Sequence, residues 1–184
     1  MLNVYKKFER PEELNDYETL YPLAEALRKL RNHESDTDPD YELTDRDKEI
    51  LSKNTKIILR YPILAYNYAQ NVLNGRWPEC ETIIKDNERL AYCYAAYVSH
   101  VRWKDIGYPE VEKMFLQNVS KAYAYVDAVV KGRWPEAEPL LITDPITACY
   151  YAIKFMKHRW LEAEDTIREK PDMWNKYKDH FGIE

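Results

Sequence analysis

Gly132-Arg133-Trp134-Pro135-Glu136-Ala137-Glu138 decides how the chain is read, because versions of it return at Gly75 to Glu81, at Arg159 to Glu164 and, interrupted, around Trp103. Trp77, Trp103, Trp134 and Trp160 are separated by 26, 31 and 26 residues, and an alanine stands twelve positions before each: Ala65, Ala91, Ala122 and Ala148. Between alanine and tryptophan the same columns recur as Tyr68, Tyr94, Tyr125 and Tyr151, then Val72, Val98, Val129 and Phe155, then Arg76, Arg102, Arg133 and Arg159. Self-similarity at a fixed period is the signature of a repeat architecture. The interval of 31 comes from five extra residues, Lys104 to Tyr108, between Trp103 and Pro109. They predict one lengthened loop.

Each repeat reads as two helices. In the first, Ala65, Tyr68, Ala69 and Val72 form an apolar stripe at helical spacing, with Asn67, Gln70, Asn71 and Asn74 on the opposite side. Asn87, Asn118 and Asp144 stand just before this helix in three repeats, where a short acceptor satisfies an orphan amide, and Pro62 and Pro145 suit a first turn. Gly75 and Gly132 fit the left-handed residue that ends many helices. Val101 and His158 occupy that column in the other two repeats, which predicts a different helix end there. The second helix starts at the proline of Trp-Pro-Glu and is about eight to ten residues long, with glutamates favourably placed against its positive end. Repeats this small cannot bury their apolar face alone. The expected fold is therefore all-α, a short α-solenoid of stacked helical hairpins with about 26 residues per repeat and divergent terminal caps.

Tandem units of the form YAxxVxxGRWPEAE followed by Asp-Pro resemble a helical repeat of uncharacterised tailed-bacteriophage proteins. The match is carried most faithfully by Ala122 to Pro145 and nearly as well by Ala65 to Asn87. Ala91 to Asn118 and Ala148 to Lys170 depart from it, Leu161 replacing the proline in the last repeat. The resemblance implies a helical fold and a viral origin. It carries no common activity and transfers no catalytic residue.

Three segments are expected: a divergent helical cap over residues 1–59, four hairpin repeats over 60–170, and a capping helix over 171–184 in which Met173 or Trp174 and Tyr177 face the last repeat. A separate small domain is the alternative for the first segment. Within it, Leu23, Ala26, Leu27 and Leu30 give Tyr21 to Arg31 an apolar stripe, and Thr44 with Asp47 resembles a capping box. Between them, Asp36, Asp38, Asp40 and Asp47 partly echo a calcium loop. Tyr41 stands where the sharp turn needs glycine, and Asp47 replaces the bidentate glutamate, so the stretch reads as an ordinary acidic loop.

Composition narrows the function. The 184 residues suffice for one core, and 10 prolines against 4 glycines fit many short helices. A net charge of −5 provides no global field toward nucleic acid or an anionic membrane. Cys80, Cys93 and Cys149 are an odd set without metal-ligand or redox spacing, which fits a reducing compartment. No apolar run of about 18 residues occurs, and Met1 to Arg10 lacks a signal-peptide core. A cytoplasmic protein without membrane contact is expected, in the host cytoplasm if it is viral.

No enzyme motif is present. His33, His100, His158 and His180 are dispersed, the four serines Ser35, Ser52, Ser99 and Ser120 form no nucleophile elbow, and glycine is too scarce for a phosphate loop. No catalytic residue, metal or cofactor is assigned. Arg76, Arg102, Arg133 and Arg159 are regular enough to read RNA or single-stranded DNA. Each also lies beside a helix C-terminus, and Glu79, Glu136 and Glu162 follow three of them by three residues, so bracing of the turn is the preferred role. Tyr68, Tyr94, Tyr125 and Tyr151 belong to the core stripe. Tyr66, Tyr92, Tyr97, Tyr123 and Tyr150 lie beside or beyond it and are the candidates for contact with a partner. The sequence thus points to a non-enzymatic protein-binding repeat protein acting on a host or viral protein, an inhibitor of a host enzyme or defence system being one such role. Nucleic-acid binding through the arginines and exposed tyrosines is the first alternative, and a structural or assembly role the second. Micromolar calcium is expected to leave the thermal midpoint unchanged; a rise of about several degrees would show that the acidic stretch binds it.

Overall fold

The computed structural model describes residues 17–32 and 42–184, and within them every regular element is helical. The chain divides into two compact parts, Met1–Ile84 and Lys85–Glu184.

In the first part, α1 (Tyr17–Asn32) packs against α2 (Asp45–Lys53) and α4 (Pro62–Tyr68), with the short α3 (Thr55–Ile58) between them. Leu23, Ala26, Leu27 and Leu30 are buried, as their spacing requires. The capping box forms: Thr44 Oγ1 accepts from Asp47 N at 3.2 Å, and Asp47 Oδ2 accepts from Thr44 N at 3.0 Å. The same carboxylate accepts from Lys29 Nζ at 2.9 Å, tying α2 to α1. These bonds overcome the upward push of burial and hold the Asp47 carboxyl below the usual range. Asp47 is thus committed to helix capping; Asp36, Asp38 and Asp40 lie outside the described residues. Asn67, expected on the polar side of its helix, is instead buried. Its Nδ2 donates at 2.9 Å to the carbonyl of Leu30, one of the last acceptors of α1. α5 (Pro78–Ile84) completes this part against α4.

The second part alternates longer and shorter helical segments: α6 (Glu88–Tyr94), α7 (Pro109–Phe115), α8 (Val119–Tyr125), α9 (Glu138–Leu141), α10 (Pro145–Tyr151), α11 (Glu164–Arg168) and α12 (Pro171–Phe181). Consecutive helices of this part pack on one another, and α10 also touches α8 and α12. The expected N-caps are in place. Asn87 accepts from Leu90 N, Asn118 from Ser120 N and Lys121 N, and Asp144 from Thr147 N. The five inserted residues form no open loop; Trp103–Ile106 is a 3₁₀ turn closed by Gly107 at φ 96°, and Tyr108 packs edge-on against Trp103.

One local feature departs from expectation in all four first helices. α4, α6, α8 and α10 each pass into a π-helical turn, at Ala69–Leu73, Ala95–Ser99, Val126–Val130 and Ala152–Met156. The widened turn ends at a left-handed residue: Asn74, His100, Lys131 and Lys157, with φ between 49° and 60°. This is one position before the glycine column. Gly75 and Gly132 are therefore not the left-handed residues, and the helices followed by Val101 and His158 stop in the same way as the others. The left-handed residue before Val101 is His100, so the valine itself avoids positive φ. At the end of the stripe Val98 and Val129 are buried, whereas Val72 and Phe155 are half-buried.

A pair of substitutions separates the two positions. Gly132→Ala should change stability by less than about 0.5 kcal/mol, since its Cβ would meet nothing closer than the Val130 carbonyl at 3.7 Å. Lys131→Val should cost about 1–2 kcal/mol in urea unfolding, because a branched side chain resists positive φ. The reverse order would return the left-handed role to the glycine.

Candidate interaction surface

The arginine column is the first place to look for a ligand, and its charges are already matched. Arg76 Nε and Nη2 donate to Glu81 at 2.6 and 3.1 Å. Arg102 grips Glu112 at 3.1 and 2.5 Å, and Arg133 grips Glu138 at 2.6 and 3.0 Å. Arg159 reaches Glu164 Oε1 through Nε at 2.8 Å and Nη2 at 2.7 Å. Bracing was the expected role, but the partners differ from those expected. Glu79, Glu136 and Glu162 are exposed, and the carboxylates that receive the arginines lie two positions later in the chain. Two residues of a helix stand about 200° apart around its axis, so only one glutamate of each pair can face inward.

The inward carboxylates Glu81, Glu112 and Glu164 are buried and Glu138 nearly so, which makes full hydrogen bonding a requirement. A tyrosine hydroxyl supplies part of it. Tyr125 Oη donates to Glu112 Oε1 at 3.2 Å, Tyr151 to Glu138 at 3.1 Å, and Tyr177 to Glu164 at 3.4 Å. Each hydroxyl in turn accepts a backbone amide: Trp103 N at 3.2 Å, Trp134 N at 2.7 Å and Trp160 N at 2.7 Å. Tyr125 and Tyr151 pack their rings on the tryptophan of their own repeat, Trp134 and Trp160, both with centroids 5.4 Å apart. Each of these two side chains therefore links its own repeat to the one before. The tyrosine column is core, as its spacing predicts, and α12 extends it, since Tyr177 follows Tyr151 by 26 residues.

The candidate tyrosines are placed differently from one another. Tyr66 is 4% exposed, so its ring belongs to the core and cannot meet a partner, a correction of its assignment. Tyr92 and Tyr123 are half-buried, edge-on against Phe115 and Phe155. Tyr97 and Tyr150 stand out at 58% and 37% exposed. The Tyr150 ring carries the Lys176 ammonium at 4.3 Å, and its hydroxyl accepts from the same group at 3.1 Å. Leu161, the residue that replaces proline in the last repeat, is 65% exposed and was not among the candidates.

Beside Leu161 lies a surface cleft of about 280 Å³ lined by Arg133, Pro135, Glu138, Pro139, Ile142, Trp160 and Glu162. Among the described residues no group of three His, Cys, Asp or Glu could hold a metal ion, and no helix is long and apolar enough to cross a membrane. Burial, with the neighbouring Glu81 charge, pushes the Cys80 thiol up to about 12, and burial also raises Cys149. Neither is poised as a nucleophile at neutral pH. Comparison of the chain with protein-family models, with curated proteins and with solved structures gives no match.

The linked network makes stability depend on pH at both ends. The bonds from Arg133 hold the Glu138 carboxyl below its ordinary value, against the push of burial. Its contribution is present above the ordinary glutamate range and is lost as pH falls through the lowered value. Burial, opposed by the Trp134 amide and reinforced by Glu138, pushes the Tyr151 phenol up to about 12. That contribution is complete below the ordinary tyrosine value and is lost as pH rises through about 12. Tyr151→Phe should cost about 1–3 kcal/mol, because it leaves the buried Trp134 amide without an acceptor and removes one of the donors to Glu138, which keeps its two bonds from Arg133. Urea unfolding checks the cost, and absorbance titration of tyrosinate should show late-ionising groups that appear only with unfolding.

Proposed function

We propose that the repeats stack as a short α-solenoid of helical hairpins, about 26 residues each, and that the protein works as a non-enzymatic binder of another protein. The observation that carries this reading is the internal saturation of the arginine column. Arg76, Arg102, Arg133 and Arg159 each hold a carboxylate of their own repeat, so their charge is balanced before any phosphate arrives. A phosphate that drew these arginines away would leave the inward carboxylates Glu81, Glu112, Glu138 and Glu164 without their counter-charge, which opposes nucleic-acid binding through that column. What the second compact part offers outward is instead aromatic and aliphatic: Tyr97, Tyr150 and Leu161. Tyrosines are enriched among the anchors of protein interfaces when a partner desolvates them, and Leu161 adds apolar area.

The recurrence of one hydrogen-bond pattern at Trp103, Trp134 and Trp160 supports stacking of the repeats. The resemblance to tailed-phage repeats adds a host or viral protein as the partner, in a cytoplasmic setting. A tagged pull-down from bacterial lysate, divided into nuclease-treated and untreated halves, tests the reading. A protein retained in stoichiometric amount after nuclease treatment is the expected result. Recovery of nucleic acid, with all proteins lost on nuclease treatment, would overturn it and restore the arginine alternative.

A further inference from the structure

The tryptophan column contains its own model of a ligand. At Trp134 the Arg102 guanidinium lies 5.4 Å from the ring centre, and Lys104 Nζ lies 3.6 Å from Glu136 Oε1. In the next repeat Trp160 takes the place of Trp134, Glu162 that of Glu136, and Arg133 that of Arg102. Lys104 has no counterpart, because it belongs to the five-residue insertion and Trp134 is followed directly by Pro135. Among the described residues Glu162 is in no ion pair, and the cleft opens beside it.

Charge and shape agree on what this cleft accepts. Arg133 and Glu138 neutralise each other at 2.6 Å, which leaves Glu162 as the uncompensated charge of the lining. Trp160, Pro135, Pro139 and Ile142 supply apolar walls suited to a methylene stem, and long basic side chains bury such stems while their charged ends stay near water. A volume of about 280 Å³ is at the lower bound of small-molecule pockets, room for one side chain rather than a cofactor. Leu161, 65% exposed between Trp160 and Glu162 in the chain, adds an apolar contact for whatever flanks that side chain.

We propose that the cleft at Trp160 and Glu162 receives a lysine or arginine side chain of the protein partner, in the way that Lys104 is received by Glu136 one repeat earlier. The proposal rests on the protein-binding reading and names the chemistry of the partner: a basic residue next to an apolar one.

The test is an NMR titration of the full chain with Nα-acetyl-lysinamide, and with Nα-acetyl-norleucinamide as the uncharged control, following the indole and amide signals of Trp160 and Glu162. Saturable shifts with the lysine probe are expected, with affinity about threefold lower for the control and for the Glu162→Gln chain. Glu162 is exposed, so an unchanged thermal midpoint will show that the variant is folded. Lys104→Ala should add a second lysine-dependent response at Trp134. Equal responses to the two probes, or equal responses of Glu162→Gln and wild type, would overturn the proposal, and so would silence at Trp134 in Lys104→Ala. If a partner from the lysate is captured equally well by wild type and Glu162→Gln, this cleft is not the site although protein binding stands. If wild type captures none, the protein-binding reading fails on its own, and the titration still decides the cleft.

Discussion

A tyrosine hydroxyl that accepts one backbone amide and donates to one buried carboxylate is the contact on which the second compact part depends. The tryptophan amide it serves sits at a turn, after the π-helical segment has ended and before the next helix begins, where no helical carbonyl can take it. The carboxylate it serves is shielded from water and would be costly if any of its oxygens were left bare. Arginine balances the charge and fills the remaining acceptor positions with a two-pronged grip. Four residue types, Arg, Trp, Glu and Tyr, are thereby fixed together, and Tyr comes from the following helical segment. That dependence on a neighbour explains why the columns recur as a set.

The same dependence explains α12. A last repeat without a successor would leave the Trp160 amide and the Glu164 carboxylate short of a partner. α12 contributes Tyr177 to both, at 2.7 and 3.4 Å, and then ends at Gly182 with φ 64°. Arg168 adds a second cation to Glu164 at 3.0 Å and stacks on Trp174 at 4.2 Å, bonding α11 to α12 further. In the other compact part α1 is joined by other means, through Asn67 at its C-terminal carbonyls and Asp47 on Lys29.

Much of this was legible in the sequence, and the failures have identifiable causes. The alanine, tyrosine and tryptophan columns marked the core, and Asn87, Asn118, Asp144 and Thr44 marked helix starts, because burial periodicity and N-cap chemistry are local. The choice between Glu136 and Glu138 was not legible. Both columns are glutamate in every repeat, and only the direction in which the short helix leaves the turn decides which faces inward. The π-helical turn has no sequence mark of its own, and it displaced the left-handed residue from Gly132 to Lys131. Tyr177 faces the last repeat as its place in the capping helix predicts, but its membership of the tyrosine column was hidden because Trp174 occupies the alanine position. Of the surface, Tyr97 and Tyr150 were correctly expected to lie outside the core, Tyr66 was not, and the cleft at Trp160 needed coordinates because its walls come from two repeats.

The amides of Trp103, Trp134 and Trp160 are structural anchors although they belong to turns. Native-state hydrogen exchange measures this most directly. If the tyrosine hydroxyls hold them, these three amides exchange as slowly as the central amides of α8 and α10, through opening of the whole compact part. Exchange at the rate of exposed turn amides, while those helices stay protected, would contradict the claim that this contact holds the repeats together.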